Sequence, residues 1–441
     1  MHISLALVCY AASLFSSTVG NQTWGVTSSS DAADGQTFDY IVVGGGLSGI
    51  TVAARLSENP ALRILLIEAG GDNRTNPEVY NIFAFGQAYG GPLDWNWPTD
   101  MGRNEAGGKT LGGSSSINGG TWTRGVKAQY DAFSDLLEPW ERSVGWNWDS
   151  LFGYMKKAES FSPPDAQQLE KGANSVPSFH GTSGPVHSAF LDAMYAGPQQ
   201  KALLATVPKL TGIEYCKDLT GGMPNCVSMT PFSVNAHDHD NRSSSAAAYL
   251  TPVENIRKGW LTLVNHMGTK ILFQNNSTIP HVATGVEFAR TNGTGERFTA
   301  YARKEVIVSA GSIQTPAFLQ LSGIGDSNLL EPLGIETVID LKTVGRNLQE
   351  QTSSILAAHG HNTTAPDLSD AIAFPNLYQL FGSSGKAEAQ KIHSSLDRLA
   401  SSQANSALNA DALREIFEVQ AKLIIENNAP VLEVFQIIGY P

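Results

Sequence analysis

The sequence has few charged residues, little positive charge and no long apolar run. Charged residues make up 16% of its 441 residues, and 41% are hydrophobic. The charged share is below the usual ~25%, but an ordinary apolar content argues against a disordered acidic chain. There are 29 Lys and Arg residues against 41 Asp and Glu residues, which gives a net charge of −12. Binding to a phosphate backbone requires concentrated positive charge, so we expect no nucleic-acid partner.

The longest apolar run, residues 3–15, is shorter than the roughly 20 residues of a membrane helix. It stands at the start of the chain and is followed by small polar residues. We therefore predict that residues 1–20 are a cleaved signal peptide and that the protein is secreted, extracellular and without a membrane partner. The alternative is a buried first helix or strand, because only His2 precedes the run as a basic residue.

Cysteine is scarce, at three residues, and Cys9 lies within the predicted signal peptide. Cys216 and Cys226 remain as an even pair in a loop that contains Gly and Pro. We predict a local disulfide between them, and two unpaired buried thiols are the alternative. Sequons add to the indication of export and of a glycoprotein; they begin at Asn21, Asn73, Asn241, Asn275, Asn276, Asn292 and Asn362.

A strand, a helix and a second strand are predicted near the start of the mature chain. Residues 38–43 are β-branched and aromatic, residues 47–57 are small and apolar, and residues 63–68 are again strand-like. This order predicts a βαβ unit and a parallel sheet. Residues 304–309 resemble the first two strands and are expected to join their sheet. Residues 367–381, 387–400 and 410–427 are predicted to be helical.

Glycine is abundant, at 43 residues, and its first cluster has the pattern G-x-G-x-x-G at Gly44, Gly46 and Gly49. In such a turn the first glycine permits the tight bend, the second admits a pyrophosphate, and the third lets the helix pack closely. Glu68 ends the second strand, where a carboxylate that binds a ribose belongs. The pattern predicts a dinucleotide site, the alternative being a glycine-rich turn in an unrelated sheet. The motif alone does not decide between NAD and FAD.

A second small-residue loop covers residues 108–125 and could clasp a phosphate or a ring edge with its N–H and hydroxyl groups. It is not a phosphate-binding Walker loop, because Arg103 stands where the first glycine must be. The chain also has no G-x-S-x-G motif, so a serine hydrolase is unsupported. His237 and His239 lie in a polar run, and we predict no metal site there.

Three segments together resemble the glucose–methanol–choline (GMC) family of flavin oxidoreductases. The loop at 108–125, extended to Asp131, is similar to the family's first signature. Residues 311–325 resemble its second, with Phe318 in place of an aliphatic residue. Residues 344–351, V-G-R-N-L-Q-E-Q, resemble a third segment, with Glu350 in place of Asp. The resemblance runs from about residue 38 to the end, and within the family it is strongest to glucose oxidases and FAD-dependent glucose dehydrogenases.

The resemblance implies an α/β fold: a Rossmann-like FAD-binding domain with a parallel sheet, interleaved with an α+β substrate domain. The expected boundaries are residues 36–130 and 246–350 for the FAD-binding domain, with 131–245 and an incomplete 351–441 for the substrate domain. The cofactor implied is FAD. The implied reaction is hydride transfer from an alcohol or aldose, with oxygen or a quinone as the electron acceptor.

The implied FAD contacts fall into three groups. The pyrophosphate and adenosine ribose would meet Gly44, Gly46, Leu47, Ser48, Gly49 and Glu68. The ribityl chain and flavin would meet Ser114, Asn118, Gly119, Gly120 and Thr121. The adenine end would be lined by backbone near Gly268 and Gly311. Phe85 either packs against substrate at the rim of the site or is a core aromatic.

No catalytic residue is assigned. In the GMC family the catalytic base is a His in the last part of the protein, and none of the ten His residues here lies in a matching motif. The chain stops at Pro441, about a quarter short of the family's usual length, so we expect a truncated C-terminus. Two alternatives to an active enzyme therefore stay open: an inactive fragment that keeps the FAD contacts, and a secreted binding protein without enzymatic activity. Whether the chain forms a homodimer is also open.

Overall fold

The computed structural model describes residues 24–100, 102–194, 198–223, 225–274, 281–293, 295–354 and 370–435. The predicted signal peptide lies outside these residues. Within them, seven strands form one large sheet and are numbered here in chain order: β1 (Gly25–Thr27), β2 (Thr37–Val43), β3 (Ile64–Ile67), β4 (Trp260–Leu263), β5 (His266–Phe273), β6 (Ala283–Arg290) and β7 (Arg297–Val308).

The spatial order of the sheet is β1-β4-β3-β2-β7-β6-β5. The first five strands in this order are mutually parallel, and β6 and β5 complete an antiparallel meander beside β7. Helix α1 (Leu47–Leu56) connects β2 to β3. The predicted βαβ unit is therefore confirmed, as is the prediction that residues 304–309 contribute a strand beside it.

Both faces of the parallel sheet are buried. One core contains Ile41, Val43 and Leu65, and the other contains Val42 and Leu66 together with apolar residues of α1. Neighbouring residues of a strand point to opposite faces, so this division follows from the two-residue period. Continuous apolar strands are expected where a sheet is covered on both sides.

Strand β7 changes partner along its length. Residues 297–301 pair with β6, whereas residues 301–308 pair with β2 through a register shift. Beyond Tyr301, the edge of β7 that faces away from β2 has no neighbouring strand among the described residues. Val306 and Val308 are accordingly only half-buried, unlike Leu65 and Leu66 in the middle of the sheet.

A smaller four-stranded sheet lies outside the parallel sheet. Its order is Val434–Phe435, Ala371–Ala373, Cys226–Met229 and Glu214–Tyr215. The prediction of a helix over residues 367–381 is wrong in part. Ala371–Ala373 is extended and pairs antiparallel with Cys226–Met229, and the helix begins only at Leu377.

The remaining described strands form two-stranded pairs: Trp97–Pro98 with Asn104–Glu105, Glu159–Ser162 with Val186–Ala189, Val234–Asn235 with Asn241–Arg242, and Ile324–Gly325 with Ile339–Asp340. The other described α-helices are α2 (Pro77–Tyr80), α3 (Lys127–Asp135), α4 (Trp148–Ala158), α5 (Ala166–Glu170), α6 (Pro198–Thr211), α7 (Gly311–Leu321), α8 (Ser327–Leu330), α9 (Leu377–Phe381), α10 (Gly385–Gln403) and α11 (Ala410–Ile425). The last two bear out the predicted helices at 387–400 and 410–427. Among these described helices, none has the length and apolar character to cross a membrane.

A buried polar cluster joins the segments around residues 124, 159, 180 and 218. The Glu159 side chain is fully buried and accepts hydrogen bonds from five donors: Trp122 Nε1, His180 Nδ1, Ser188 Oγ, Arg124 Nη2 and the Gly181 backbone N–H. The second ring nitrogen of His180 lies 2.9 Å from Asp218 Oδ2. A neutral imidazole has one N–H, so facing two carboxylates favours the protonated, cationic ring.

The pKa directions agree with this geometry. Burial alone would lower the pKa of His180, but its hydrogen bonds to Asp218 and Glu159 outweigh burial and raise it. Burial likewise would raise the pKa of both carboxyl groups, yet their hydrogen bonds lower it. The cluster therefore carries balanced charge when His180 is protonated. The predicted disulfide, Cys216–Cys226, closes the adjoining loop and is confirmed.

Candidate cofactor site

The sequence-predicted glycine turn lies at the carboxyl edge of the parallel sheet. β2, β3 and β7 are parallel neighbours, with Val43 paired to both Ile67 and Val308, so all three strands end together. Loops that follow these ends meet at one edge. In open α/β sheets this edge is where ligands bind.

Two glycines of the motif are required by the packing itself. Gly44 has a φ of 103°, and a Cβ built on it would lie 2.5 Å from the carbonyl oxygen of Ser309. A Cβ on Gly49 would overlap the Gly44 carbonyl oxygen and lie 2.6 Å from Ser309 Oγ. These positions let α1 pack directly on the ends of β2 and β7.

Gly46 differs from these two glycines. Its φ is −83°, which any residue can adopt, and among the described residues the nearest atom to a Cβ built there is the Gly113 Cα at 3.8 Å. The protein therefore leaves unfilled the volume that a side chain would occupy. Such a glycine is explained by the approach of a ligand rather than by internal packing.

The N-terminus of α1 opens into the same region. No side chain of the described residues caps it, and its first turn contains no acidic residue. Leu47 is 59% exposed, and Ser48 is also exposed. Uncapped N–H groups and the positive end of the helix dipole favour an anion here, so the turn fits a pyrophosphate on its own chemistry.

Glu68 stands beside this turn at the end of β3. Its carboxylate accepts hydrogen bonds of 2.7 Å from the Gly45 N–H and 2.7 Å from the Gly70 N–H. Burial raises the pKa of Glu68 to about 7, although the two backbone hydrogen bonds oppose the rise. The side chain is thus held rigidly at the place predicted for a ribose-binding acid.

The second glycine-rich loop packs directly on the first. The Gly112 N–H donates to the Gly45 carbonyl oxygen at 2.8 Å, and a Cβ on Gly113 would lie 2.8 Å from the Gly46 Cα. Ser114 follows at an exposed position. The two predicted loops are therefore brought together, although residue 108 lies 62 positions after Gly46 in the sequence.

The rest of the second loop alternates between exposed and buried positions. Asn118 and Thr121 are exposed, whereas Gly119 is half-buried and Gly120 is buried. A Cβ on Gly119 would lie 3.5 Å from the ring of Phe85. Phe85 is itself 38% exposed and therefore is not a core aromatic.

Gly268 and Gly311 flank the site from β5 and α7. A Cβ on Gly268 would lie 2.7 Å from Val43 Cγ1 and 3.2 Å from the ring of Phe318. Gly311 begins α7 and is exposed, and no atom of the residues that the structure describes lies within 4 Å of a Cβ built on it. Gly311 thus faces open space, whereas Gly268 serves close packing beside the end of β2.

The family follows from comparison with known proteins. The profile of the GMC oxidoreductases matches residues 38–353. The chain belongs to the GMC oxidoreductase family. Members of this family are FAD-dependent, which agrees with the cofactor predicted from the sequence.

Curated GMC relatives include sugar-oxidising enzymes. Glucose oxidase of Penicillium chrysogenum is 34% identical over 412 residues, which are 91% of this chain and 66% of that enzyme. Pyranose dehydrogenase 3 of Leucoagaricus meleagris is 37% identical over 341 residues, 75% of this chain and 53% of that enzyme. The chain thus spans slightly less than two thirds of the length of that glucose oxidase.

Solved GMC-type structures confirm the fold. An FAD-dependent oxidoreductase from Chaetomium thermophilum superposes with a TM-score of 0.78 at 26% identity, covering 91% of this chain and 72% of that chain. A fungal aryl-alcohol oxidase superposes with a TM-score of 0.73 at 25% identity, with the same two coverages of 91% and 72%. The predicted α/β fold class is confirmed, while the predicted domain boundaries stay predictions.

Neither the GMC signatures nor the sequence patterns described above identify Arg242 as a residue of this site. Arg242, 3% exposed, donates to the Asn118 side chain from the far side of the second loop. Its position 124 residues downstream of Asn118 leaves no spacing signal. Arg242 is a single Arg followed by three Ser residues, and only the fold shows that it lies beside Asn118.

Proposed function

We propose that this chain binds FAD across the carboxyl edge of its parallel sheet and serves the oxidation of an alcohol or aldose. The observation that carries the proposal is Gly46. Its open Cβ volume lies at an uncapped helix N-terminus and against the second glycine loop. Family membership supports FAD over NAD as the dinucleotide.

The proposed contacts divide along the groove. The N–H groups at Leu47 and Ser48, with the backbone of Gly44, Gly46 and Gly49, would hold the pyrophosphate. Glu68 would accept from the adenosine ribose, with Gly268 and Gly311 near the adenine end. Ser114, Asn118, Gly119, Gly120 and Thr121 would line the ribityl chain and the flavin ring, next to the exposed face of Phe85.

When bound, FAD supplies the acceptor for a hydride that leaves the carbinol carbon. The residues of this chain would bind and orient the cofactor. None of the residues proposed to lie beside the flavin ring is a His, Asp or Glu that could accept the proton of the substrate hydroxyl group. His180 is enclosed between two carboxylates, and the ring of His266 is fully buried. We therefore assign no base among the described residues that line the proposed groove. Oxygen or a quinone is proposed as the acceptor of the electrons.

Export of the protein is part of the same proposal. The Cys216–Cys226 disulfide supports an oxidising compartment. Secretion would be tested by expressing the full sequence in a eukaryotic host and sequencing the N-terminus of protein recovered from the medium. Recovery only inside the cell, with an intact N-terminus, would contradict it.

The proposed activity is tested by anaerobic mixing of the flavin-loaded chain with glucose or benzyl alcohol while the flavin absorption is followed. We expect slow bleaching, because a missing general base costs about 10²- to 10⁴-fold in rate. Bleaching by dithionite but by no alcohol or aldose would instead support an FAD-binding protein without enzymatic activity. Fast bleaching by glucose would show that the assignment of no base is wrong.

A further inference from the structure

Arg242 connects helix α2 to the second glycine-rich loop and is almost fully enclosed. Nε donates to the Val79 carbonyl oxygen at 2.8 Å, and Nη1 donates to both the carbonyl oxygen of Asn118 and its Oδ1 at 2.5 and 2.8 Å. Within the described part of the chain, no residue forms a hydrogen bond with the other terminal nitrogen, Nη2. With 3% of its surface exposed, Arg242 is an interior cation rather than a surface one.

These bonds decide the orientation of the Asn118 amide. Oδ1 accepts from Arg242 Nη1 and, at 3.1 Å, from the Gly120 N–H. Guanidinium and backbone N–H groups donate only, so turning the amide over would place Nδ2 against two donors. Asn118 is exposed, and the Nδ2 amide group is therefore available as a hydrogen-bond donor on the open side of the loop.

Arg242 also differs from the other buried arginine of the protein. Arg124 pairs with Glu159 at 2.9 Å, whereas no Asp or Glu forms an ion pair with Arg242 among the described residues. Burial lowers the pKa of Arg242 to about 10, which still leaves it charged at neutral pH. A buried cation without a carboxylate partner is costly, and such groups are rare unless something compensates them.

We propose that Arg242 is a positioning residue of the flavin site: it holds Asn118 as an N–H donor toward the flavin and places a buried positive charge, with no carboxylate partner among the described residues, behind that contact. This inference rests on the proposed binding of FAD. Positive charge near a flavin favours the reduced, more negative ring over the oxidised ring. Arg242 is therefore expected to raise the midpoint potential of the bound flavin.

The first measurement is the two-electron midpoint potential of FAD bound to the wild type and to Arg242→Met, Arg242→Gln and Arg242→Lys. Met and Gln should lower the potential, by about 30 mV for each tenfold loss of preference for reduced flavin. Lys keeps the charge and should retain most of the wild-type potential. If the Met variant does not fold, the Gln and Lys pair still separates charge from hydrogen bonding.

The matched control is Arg257→Met. Arg257 is half-buried and donates to the Ala54 carbonyl oxygen and to Ser57 Oγ at the C-terminal end of α1, away from the proposed pyrophosphate turn at its N-terminus. Its loss should lower thermal stability without moving the flavin potential. An unchanged potential in the Gln variant, or an equal shift in the Arg257 variant, would overturn the charge effect.

The second measurement needs no flavin. Thermal unfolding of Arg242→Met, Asn118→Ala and the double variant forms a double-mutant cycle on the whole chain. Asn118→Ala should lower the melting temperature in the wild type and have a clearly smaller effect once Arg242 is replaced. Equal effects in both backgrounds would overturn the positioning claim. A wild type that binds no flavin would overturn the charge effect and the proposed function, while the cycle still decides the positioning.

Discussion

Replacement of Gly46 by Ala separates ligand binding from folding more sharply than any other change in the site. A methyl group at Gly46 would have 3.8 Å to its nearest neighbour, the Gly113 Cα, and the backbone φ of −83° suits Ala. Gly46 caps α1, where Ala is less favourable than Gly, so the free energy of unfolding should fall by only about 1 kcal/mol.

The effect on FAD should be much larger. The methyl group would occupy the volume through which a phosphate oxygen approaches the N–H groups of α1. Loss of one charge-assisted hydrogen bond costs about 1.5 to 3 kcal/mol. At 1.4 kcal/mol for each factor of ten, FAD binding should weaken about 10- to 150-fold.

The assay is fluorescence titration of FAD into the flavin-free wild type, Gly46→Ala and Gly49→Ala, with thermal unfolding of the flavin-free proteins in parallel. Gly49→Ala is the contrast, because its Cβ would overlap the Gly44 carbonyl oxygen and should destabilise the fold by about 1–3 kcal/mol or more. Wild-type FAD affinity in Gly46→Ala would refute the placement of the pyrophosphate. A large loss of stability in Gly46→Ala would refute the statement that its Cβ volume is free.

Further predictions concern the buried cluster and the disulfide. Glu159→Gln should lower the free energy of unfolding by about 3–5 kcal/mol, measured in urea, because Arg124 and His180 lose a buried partner. The pKa of His180 is raised in the folded state. Its contribution to stability should therefore be complete below about pH 6.5, the ordinary pKa of His, and should be lost as the pH rises through the higher pKa of the folded state. The melting temperature should accordingly fall as the pH rises, and His180→Gln should make this fall smaller. Reduction of Cys216–Cys226, which spans a sequence separation of 10, should cost about 2–3 kcal/mol, measured by unfolding with and without reductant.

The control for the cluster is Glu58→Gln, which removes an exposed ion pair with Arg55 and should change stability by less than about 0.5 kcal/mol. A similar decrease in the free energy of unfolding in Glu58→Gln and Glu159→Gln would contradict the claim that the buried ion pairs stabilise the fold more than the exposed one. An alkaline decline that persists unchanged in His180→Gln would contradict the assignment of that decline to His180. Identical unfolding with and without reductant would contradict the role given to the disulfide.

Much of the cofactor edge was predictable from local sequence because its signals are local. Gly44, Gly46 and Gly49 lie within one turn, and the apolar strands on either side specify which end of the sheet they occupy. The role of Glu68 is predictable because it stands at the end of the second strand of the same βαβ unit. The structure adds that Gly44 and Gly49 serve packing against Ser309, whereas Gly46 leaves space.

Features made by distant segments were not predictable in this way. Ala371–Ala373 contains residues that favour helix, but pairing with Cys226–Met229 makes it a strand, because tertiary contacts override weak local preferences. Arg242 reaches Asn118 across 124 residues. The five donors to Glu159 likewise come from three separate segments of the chain, at residues 122–124, 180–181 and 188. Such contacts depend on the fold and carry no periodic signal.

The central claim is that this chain holds FAD at the carboxyl edge of its parallel sheet. The most direct test is the visible absorption spectrum of the purified chain after addition of FAD and removal of the free cofactor by gel filtration. The account predicts a retained flavin band, with about one FAD per chain. A chain that elutes folded, with its cooperative unfolding intact but no flavin band, would contradict it.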